Sequence, residues 1–410
     1  MFYLEVRYKY NNYLFPFPQY PDIFMEEKNT LYQNGTEGKT IFDRTLNYLN
    51  SKYSLRFNTI SLEFEIKLIQ DKKWADLNLN SLFIELIQSG INIPINKLEI
   101  LVRSHLIEQY NPISEYIESL EDWDGEDHIA KLCSYVKTND DEKFLYHVEK
   151  WFTRAVFCAL EKEKINKHCL VLANTIQNSG KSTFLRFFIP KKLTNYLSED
   201  IGLDKDSRIK LCKNLIINLD ELSVLAKADI NSLKAMISKT HINERLPYAR
   251  KAEYLERICS FVGSTNKTDF LTDESGSVRW IIFEVIEKIN FNYSSEIDID
   301  KVWAQAYFNA YKRENYNPEL TLTDISENEK RNERFTQMTL EQELVSKFYE
   351  ASDNLEEFKT ATEVMIDLNS HGIRLNHLKI GRALSSFKFP RVKHPQRQIY
   401  GYLIRSKIAN

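Results

Sequence analysis

The chain has 410 residues, a net charge of −3 and 43% hydrophobic residues, enough for two or three domains and a sizeable core. Its five cysteines, Cys133, Cys158, Cys169, Cys212 and Cys259, form no C-x-x-C pair, which argues against a disulfide framework or a zinc site and for reduced, buried thiols in a cytoplasmic protein. No apolar run reaches the ~18 residues of a membrane span, and the first twenty residues lack the sustained apolar core of a signal peptide.

Taken in chain order, residues 1–47 read as an irregular, aromatic-rich arm. It is broken by Pro16 and Pro18 and followed by the polar stretch Asn34-Gly35-Thr36-Glu37-Gly38. Such an arm packs on its own chain or on a neighbouring subunit. Residues 48–125 read as an N-terminal α+β domain. It has a strand pair at 54–60 and 61–69, helical stretches at 79–86 and 98–109, a boundary at Asn111-Pro112 and a closing turn at Trp123-Asp124-Gly125. Arg56, Lys72 and Lys73 are either nucleic-acid contacts or part of a solvated charged face.

Residues 126–315 read as a helical collar and P-loop ATPase domain, with amphipathic helices at 129–136 and 145–160 leading into the P-loop strand. The apolar run Leu170-Val171-Leu172-Ala173 predicts a buried strand. A polar loop with Thr175, Gln177, Asn178, Ser179, Gly180, Lys181, Ser182 and Thr183 follows, and then an apolar-periodic helix. This strand–loop–helix order suits a phosphate-binding loop, whose amides and helix N-terminus cradle phosphates. In such a loop Lys181 would pair with the β/γ oxygens, and the Ser182 hydroxyl would hold Mg²⁺. The pattern G-x-x-x-x-G-K-[ST] asks for glycine where Thr175 stands. A β-branched residue dislikes positive φ, so the first bend must differ, and Asn178 is a residue that tolerates the left-handed region. A G-K-S-T at an ordinary helix N-terminus is the bland alternative.

A second buried-strand run, Leu215-Ile216-Ile217-Asn218-Leu219, ends in Asp220-Glu221. Asp220 would complete the Mg²⁺ shell, and Glu221 would orient and deprotonate the attacking water. An acidic first turn of a helix is the competing reading. A helix at 230–238 leads to HINERLPYARKAEYLER, residues 241–257, which carries Arg245, Tyr248, Arg250 and Lys251. Basic and aromatic residues together suit contacts with a nucleic-acid backbone and bases; an ordinary charged surface loop is the alternative. A third strand at 258–264 ends in Thr265-Asn266, whose amide can bond the γ-phosphate or the lytic water or serve as a turn residue. Arg279 follows a polar loop and either stabilises phosphoryl charge or pairs with Asp273 or Glu274.

Residues 316–410 read as a polar linker plus helix start to about residue 335 and then a C-terminal winged helix. Its helices are expected at 341–349, 362–369 and 375–387, with a strand–turn–strand wing at 389–408. From His371 onward there are nine basic residues and no Asp or Glu, among them Lys379, Arg382, Lys388, Arg391, Lys393 and Arg397. That one-sided charge is an electrostatic footprint for nucleic acid, with a solvated basic tail as the alternative.

The chain resembles the virulence-associated E family of mobile-element P-loop proteins, which are similar to superfamily 3 (AAA+) helicases. The residues that carry the resemblance are Ser182-Thr183, Asn218-Leu219-Asp220-Glu221-Leu222, Leu233-Lys234 with Thr240, Arg245-Leu246-Pro247-Tyr248, Gly263-Ser264-Thr265-Asn266 with Phe270-Leu271, Gly276-Ser277-Val278-Arg279-Trp280 and Val302-Trp303-Ala304. It departs from the family at Thr175 and at Val278-Arg279, where the family has paired arginines. The resemblance implies an α/β fold: an AAA+-type P-loop ATPase sheet with helical flanks. It further implies a ring, a hexamer, with single-stranded DNA in a channel lined by the 241–257 hairpin and Arg279 acting on a neighbour's site. The function it implies is an ATP-dependent DNA helicase or translocase in replication of a phage or integrated mobile element, with duplex DNA at the C-terminal domain and a separate primase as partner. An initiator that uses ATP as an assembly switch and hydrolyses it weakly is the alternative, favoured by Thr175. A small-molecule kinase is disfavoured by the basic C-terminus.

Overall fold

The computed structural model describes residues 40–407 except 200, 203, 223–226, 246–250, 268–269, 272–277 and 370–374. The chain divides into two compact units, Met1–Tyr110 and Asn111–Asn410.

In the first unit, helix α1 (Ile41–Lys52) starts at a capping box in which Thr40 and Asp43 satisfy each other's backbone amides. Residues 41–47 therefore belong to a helix and not to an irregular arm; residues 1–39 lie outside the described part. Strands β1 (Tyr53–Asn58) and β2 (Glu63–Leu68) form an antiparallel pair. Strand β3 (Ala75–Asp76) borders β2. Helices α2 (Leu79–Gln88) and α3 (Ile95–Val102) cover the sheet, burying Leu82, Leu86, Leu98 and Leu101 with Leu46 and Leu49 of α1. The expected helix through residue 109 stops earlier. Ser104 bonds the Leu101 carbonyl and turns the chain, and β4 (Glu108–Tyr110) then adds to β1 in parallel. Edge hydrogen bonds to β1 outweigh the helical pattern there.

The second unit starts at Asn111, whose side chain caps helix α4 (Pro112–Glu118). Tyr116 of α4 is buried and donates to Asp300 at 2.8 Å, so residues 111–125 pack with the second unit and not with the α+β domain as expected. Helices α5 (His128–Cys133) and α6 (Asp141–Leu160) flank the central sheet. On α6, Phe144, Val148, Trp151, Phe152 and Val156 are buried, and the Trp151 indole donates to the Phe261 carbonyl at 2.9 Å.

The sheet is built from β5 (Cys169–Ala173), β6 (Leu197–Glu199), β7 (Ile216–Leu219), β10 (Ser260–Thr265) and β11 (Trp280–Glu284), all parallel, in the order β11-β5-β10-β7-β6. Every residue of β5, β7 and β10 is buried, as expected of strands covered on both faces. Helices α7 (Lys181–Arg186), α8 (Lys205–Lys213) and α9 (Lys227–Ile237) make the connections. Between α9 and β10, β8 (His241–Glu244) and β9 (Glu253–Glu256) pair antiparallel as a hairpin. Helices α10 (Tyr293–Glu296) and α11 (Ile299–Tyr311) follow β11.

The stretch expected as a polar linker plus helix start contains helix α12 (Leu322–Asn332), which packs on the sheet. Asn328 and Asn332, both fully buried, donate to the Trp280 carbonyl at 2.8 and 2.7 Å. Asp324 is also buried, with Lys150 and Tyr146 of α6 around it. These polar residues are inside because each finds a partner. Beyond them, α13 (Leu340–Phe348), α14 (Ala361–Asn369) and α15 (His377–Ser386) surround a core of Val345, Val364, Leu368, Ile380 and Leu384. Strand β15 (Tyr400–Ser406) pairs antiparallel with β12 (Tyr349–Ala351), β13 (Phe358–Lys359) and β14 (Arg391–Lys393).

Candidate active site

The strand order sets the site. Between β5, which feeds the phosphate-loop sequence, and β7, which ends in Asp220, lies β10, which ends in Ser264-Thr265-Asn266. The strands are parallel, so all three carboxyl ends open on one edge, where open α/β sheets bind ligands.

The loop from Asn174 to Gly180 is fixed at both ends. The Asn174 side chain donates to the Val285 carbonyl and accepts from the Ile176 amide, closing the first bend. Among the described residues, the left-handed positions of this loop are Asn178 (φ 57°) and Gly180 (φ 94°), and Thr175 is not one of them. The missing glycine is thus replaced by an Asn-anchored turn and a left-handed Asn178. Thr175, Gln177, Asn178 and Thr183 are exposed along the loop, while Ser179 is buried. The Ser179 carbonyl accepts from the Ile289 amide at 3.0 Å, which ties the loop to the chain after β11.

Lys181, 5% exposed, aims its ammonium into a cage of oxygens. Its Nζ lies 3.0 Å from Ser179 Oγ and 2.9 Å from Asn266 Oδ1, with the Asn174 and Ile176 carbonyls at 3.4 Å. Burial lowers its pKa, while the Asp220 carboxylate pulls the other way. Ser182 Oγ donates to Asp220 Oδ1 at 2.6 Å, and Ser264 Oγ reaches the same oxygen at 2.5 Å. Burial raises the Asp220 carboxyl, but the Ser182 and Ser264 hydroxyls, the Glu221 amide and the Arg186 charge outweigh it, and the net shift is downward. Arg186, on the helix after the loop, sits 3.5 Å from the other Asp220 oxygen and pairs with Glu199 at the end of β6. Glu221 is exposed beside Asp220 with φ 51°, an uncommon conformation for a glutamate.

The structure therefore brings together Lys181, Ser182, Asp220 and Asn266, with Glu221 adjacent. The sequence reading missed Asn174, Arg186 and Ser264. Ser264 carried a signal: it is a polar residue in an apolar strand, two positions past Val262, and strand alternation puts both on one face. Arg279 is elsewhere. Its carbonyl accepts from the Cys169 amide at the amino end of β5, and its side chain donates to Ser238 at 2.6 Å. Its alternative partners Asp273 and Glu274 lie outside the described residues.

On the hairpin, Arg245 follows β8 and Lys251 precedes β9, both exposed. Tyr248 and Arg250 lie outside the described residues. In the first unit, Arg56 is taken by its neighbours: its guanidinium lies 3.9 Å from the Trp74 ring centroid and 3.5 Å from that of Tyr110, with Glu65 at 2.7 Å. Of the basic C-terminal residues, Arg397 pairs with Glu363 at 2.7 Å, Lys379 with Glu341 at 3.7 Å and Arg405 with Glu350 at 2.5 Å. The acidic partners come from earlier in the domain, so the one-sided charge of the sequence is partly neutralised in the fold. Lys388, Arg391 and Lys393 are exposed with no acidic partner among the described residues, and Arg382 is exposed on α15.

The sequence profile of the virulence-associated protein E-like domain matches residues 117–339, more than half of the chain. The chain belongs to this VapE-like family. The VapE-like region runs from within α4 to the residue before α13, so it contains the whole parallel sheet and every residue of the site. No curated protein sequence matches the chain. Two solved structures of the NrS-1 C-terminal region (305–718), both in apo form, share its fold. One superposes with TM-score 0.53 at 13% identity over 90% of this chain and all of that one; the other has TM-score 0.52 at the same identity and coverage.

Proposed function

We propose that this VapE-like protein is an ATP-dependent DNA helicase or translocase, assembled as a hexameric ring, that serves replication of a phage or integrated mobile element. The observation that carries the reading is the convergence of Lys181, Ser182, Asp220 and Asn266 from three strand ends. The strand order, with the Asn266 strand between the Lys181 and Asp220 strands, supports an AAA+-type sheet.

Ser182 and Asp220 oxygens 2.6 Å apart, with Ser264 alongside, are a hard-oxygen donor set that fits Mg²⁺. Ser182 and Asp220 would hold the ion, which when bound neutralises phosphate charge. Lys181 exchanges its cage oxygens for the β/γ oxygens of ATP. That exchange frees the Asn266 amide for the γ-phosphate or the attacking water. Glu221 takes the proton of that water on its carboxylate.

Arg279 stands at the amino end of the sheet, about 13 Å along a five-residue strand from the carboxyl edge. It lies at the end of the sheet opposite Lys181 and Asp220, and its assigned role is in a neighbour's site. The β8–β9 hairpin with Arg245, Tyr248, Arg250 and Lys251 would grip single-stranded DNA in the channel. The C-terminal helices and antiparallel sheet would act as a winged helix, binding duplex through Arg382, Lys388, Arg391 and Lys393. A separate primase would supply primers, and the setting would be the cytoplasm. Among the described residues, no helix is long and apolar enough to cross a membrane.

An ATP-switched initiator with weak hydrolysis remains the second reading, because Thr175 stands in place of the first loop glycine. Strand displacement on a forked DNA duplex separates the two. ATP-dependent release of the displaced strand is expected; DNA binding without release at any ATP concentration would favour the initiator.

A further inference from the structure

A phosphate loop fixes the triphosphate, but the base needs a surface of its own. Three large apolar side chains in or near the loop are exposed: Ile176 in the loop (57%), Ile286 (54%) and Phe291 (41%) on the chain after β11. Singly exposed apolar side chains are common on protein surfaces, so what counts is where they sit relative to the loop. Only one of the three is aromatic. Phe291 lies directly against the loop: a methyl group placed on Gly180 would come within 2.8 Å of the Phe291 Cζ.

The backbone leading to the ring is anchored. The Ile286 amide donates to the Lys137 carbonyl, the Ile289 amide to Ser179 and the Asn290 amide to Tyr135, so residues 286–290 are sewn to the phosphate loop on one side and to the segment after α5 on the other. One face of Phe291 stacks near Tyr293, with centroids 6.1 Å apart and planes 29° from parallel. Tyr293 is itself buried, at 5.2 Å from Phe184 and 5.0 Å from Phe187 of the helix that follows the loop. An aromatic ring backed by a buried aromatic cluster and open to solvent is a preorganised stacking platform.

We propose that Phe291 is the platform on which the base of a purine nucleoside triphosphate stacks. The proposal rests on the reading of the loop as an ATP site and adds the residue that holds the base and selects it. Stacking area grows with the size of the base, so the platform favours a purine over a pyrimidine.

The test compares wild type, Phe291→Ala and Phe291→Trp for binding of ATP, CTP and inorganic tripolyphosphate in the presence of Mg²⁺. Phe291→Ala is expected to weaken ATP roughly tenfold or more, the loss of one base–aromatic stack. It should leave tripolyphosphate binding unchanged, which also shows that the variant is folded, and abolish the preference for ATP over CTP. Phe291→Trp should keep both affinity and preference. Unchanged ATP affinity in Phe291→Ala, or an equal loss for tripolyphosphate, overturns the platform while the phosphate site stands. A wild-type protein that binds neither ATP nor tripolyphosphate overturns the nucleotide-site reading, and the platform with it.

Discussion

Replacing Lys181 by Ala is the sharpest perturbation of the site. The ammonium is buried and caged by four oxygens, two of them side-chain atoms at 2.9 and 3.0 Å. In the proposed nucleotide complex those contacts would give way to charge-assisted bonds with phosphate, each worth about 1.5–3 kcal/mol. Losing one such partner raises the Kd for ATP about 10- to 150-fold. Ligand stabilisation follows the Kd. At an ATP concentration 100 times the wild-type Kd, the folded state gains about 2.7 kcal/mol. A variant binding 100-fold more weakly gains only about 0.4 kcal/mol at the same concentration. The ATP-induced rise in melting temperature should therefore nearly vanish. The comparison is made against each protein's own melting temperature without nucleotide, because the variant also loses the Lys181 contacts with Ser179 and Asn266. Thermal melts with and without Mg-ATP measure both quantities. An undiminished ATP-induced shift in Lys181→Ala would refute the assignment of this lysine to the phosphates.

Glu221→Gln should bind ATP as wild type does while phosphate release falls about 10²–10⁴-fold, the range for loss of a general base, measured by nucleotide titration and steady-state turnover. Ser264→Ala removes a hydroxyl bonded to Asp220 at 2.5 Å. The Asp220 carboxyl is held below its ordinary value, so its ionised form is present above that value and lost as pH falls through the depressed one. Removing the donor moves that loss to higher pH, visible as a shifted acid limb of Mg-ATP binding. Arg279→Ala should lower turnover with little change in ATP affinity. Mixed with Lys181→Ala in co-assembled rings it should recover partial activity, and no recovery would place Arg279 outside a neighbour's site. Replacing Lys388, Arg391 and Lys393 together by Ala should flatten the log–log salt dependence of duplex binding by up to about 2.7, at ~0.9 per lost phosphate contact, and leave basal turnover intact.

Much of this architecture was legible in the residues. The apolar runs at 170–173 and 215–219 announce buried parallel strands, and Gly180-Lys181-Ser182 and Asp220-Glu221 sit at their ends as strand-end chemistry requires. The left-handed role of Asn178 was readable because few residues besides glycine accept it. What sequence could not give is pairing across long chain separations. Helix α12 reads as a helix start after a polar linker, and its burial on the sheet shows only once Asn328 and Asn332 find the Trp280 carbonyl. Ser264 becomes part of the site only once β10 lies beside β7. The basic block after His371 reads as one-sided until Glu341, Glu350 and Glu363 fold against it. Residues 108–110 carry no strand signal of their own and become a strand because the edge of β1 is open to them.

The most direct measurement is phosphate release from Mg-ATP by the wild-type chain and by Glu221→Gln, each with and without single-stranded DNA. The account predicts turnover in the wild type that rises several-fold with DNA and is lost in Glu221→Gln under both conditions. Turnover indifferent to DNA, or turnover that survives in Glu221→Gln, would contradict it.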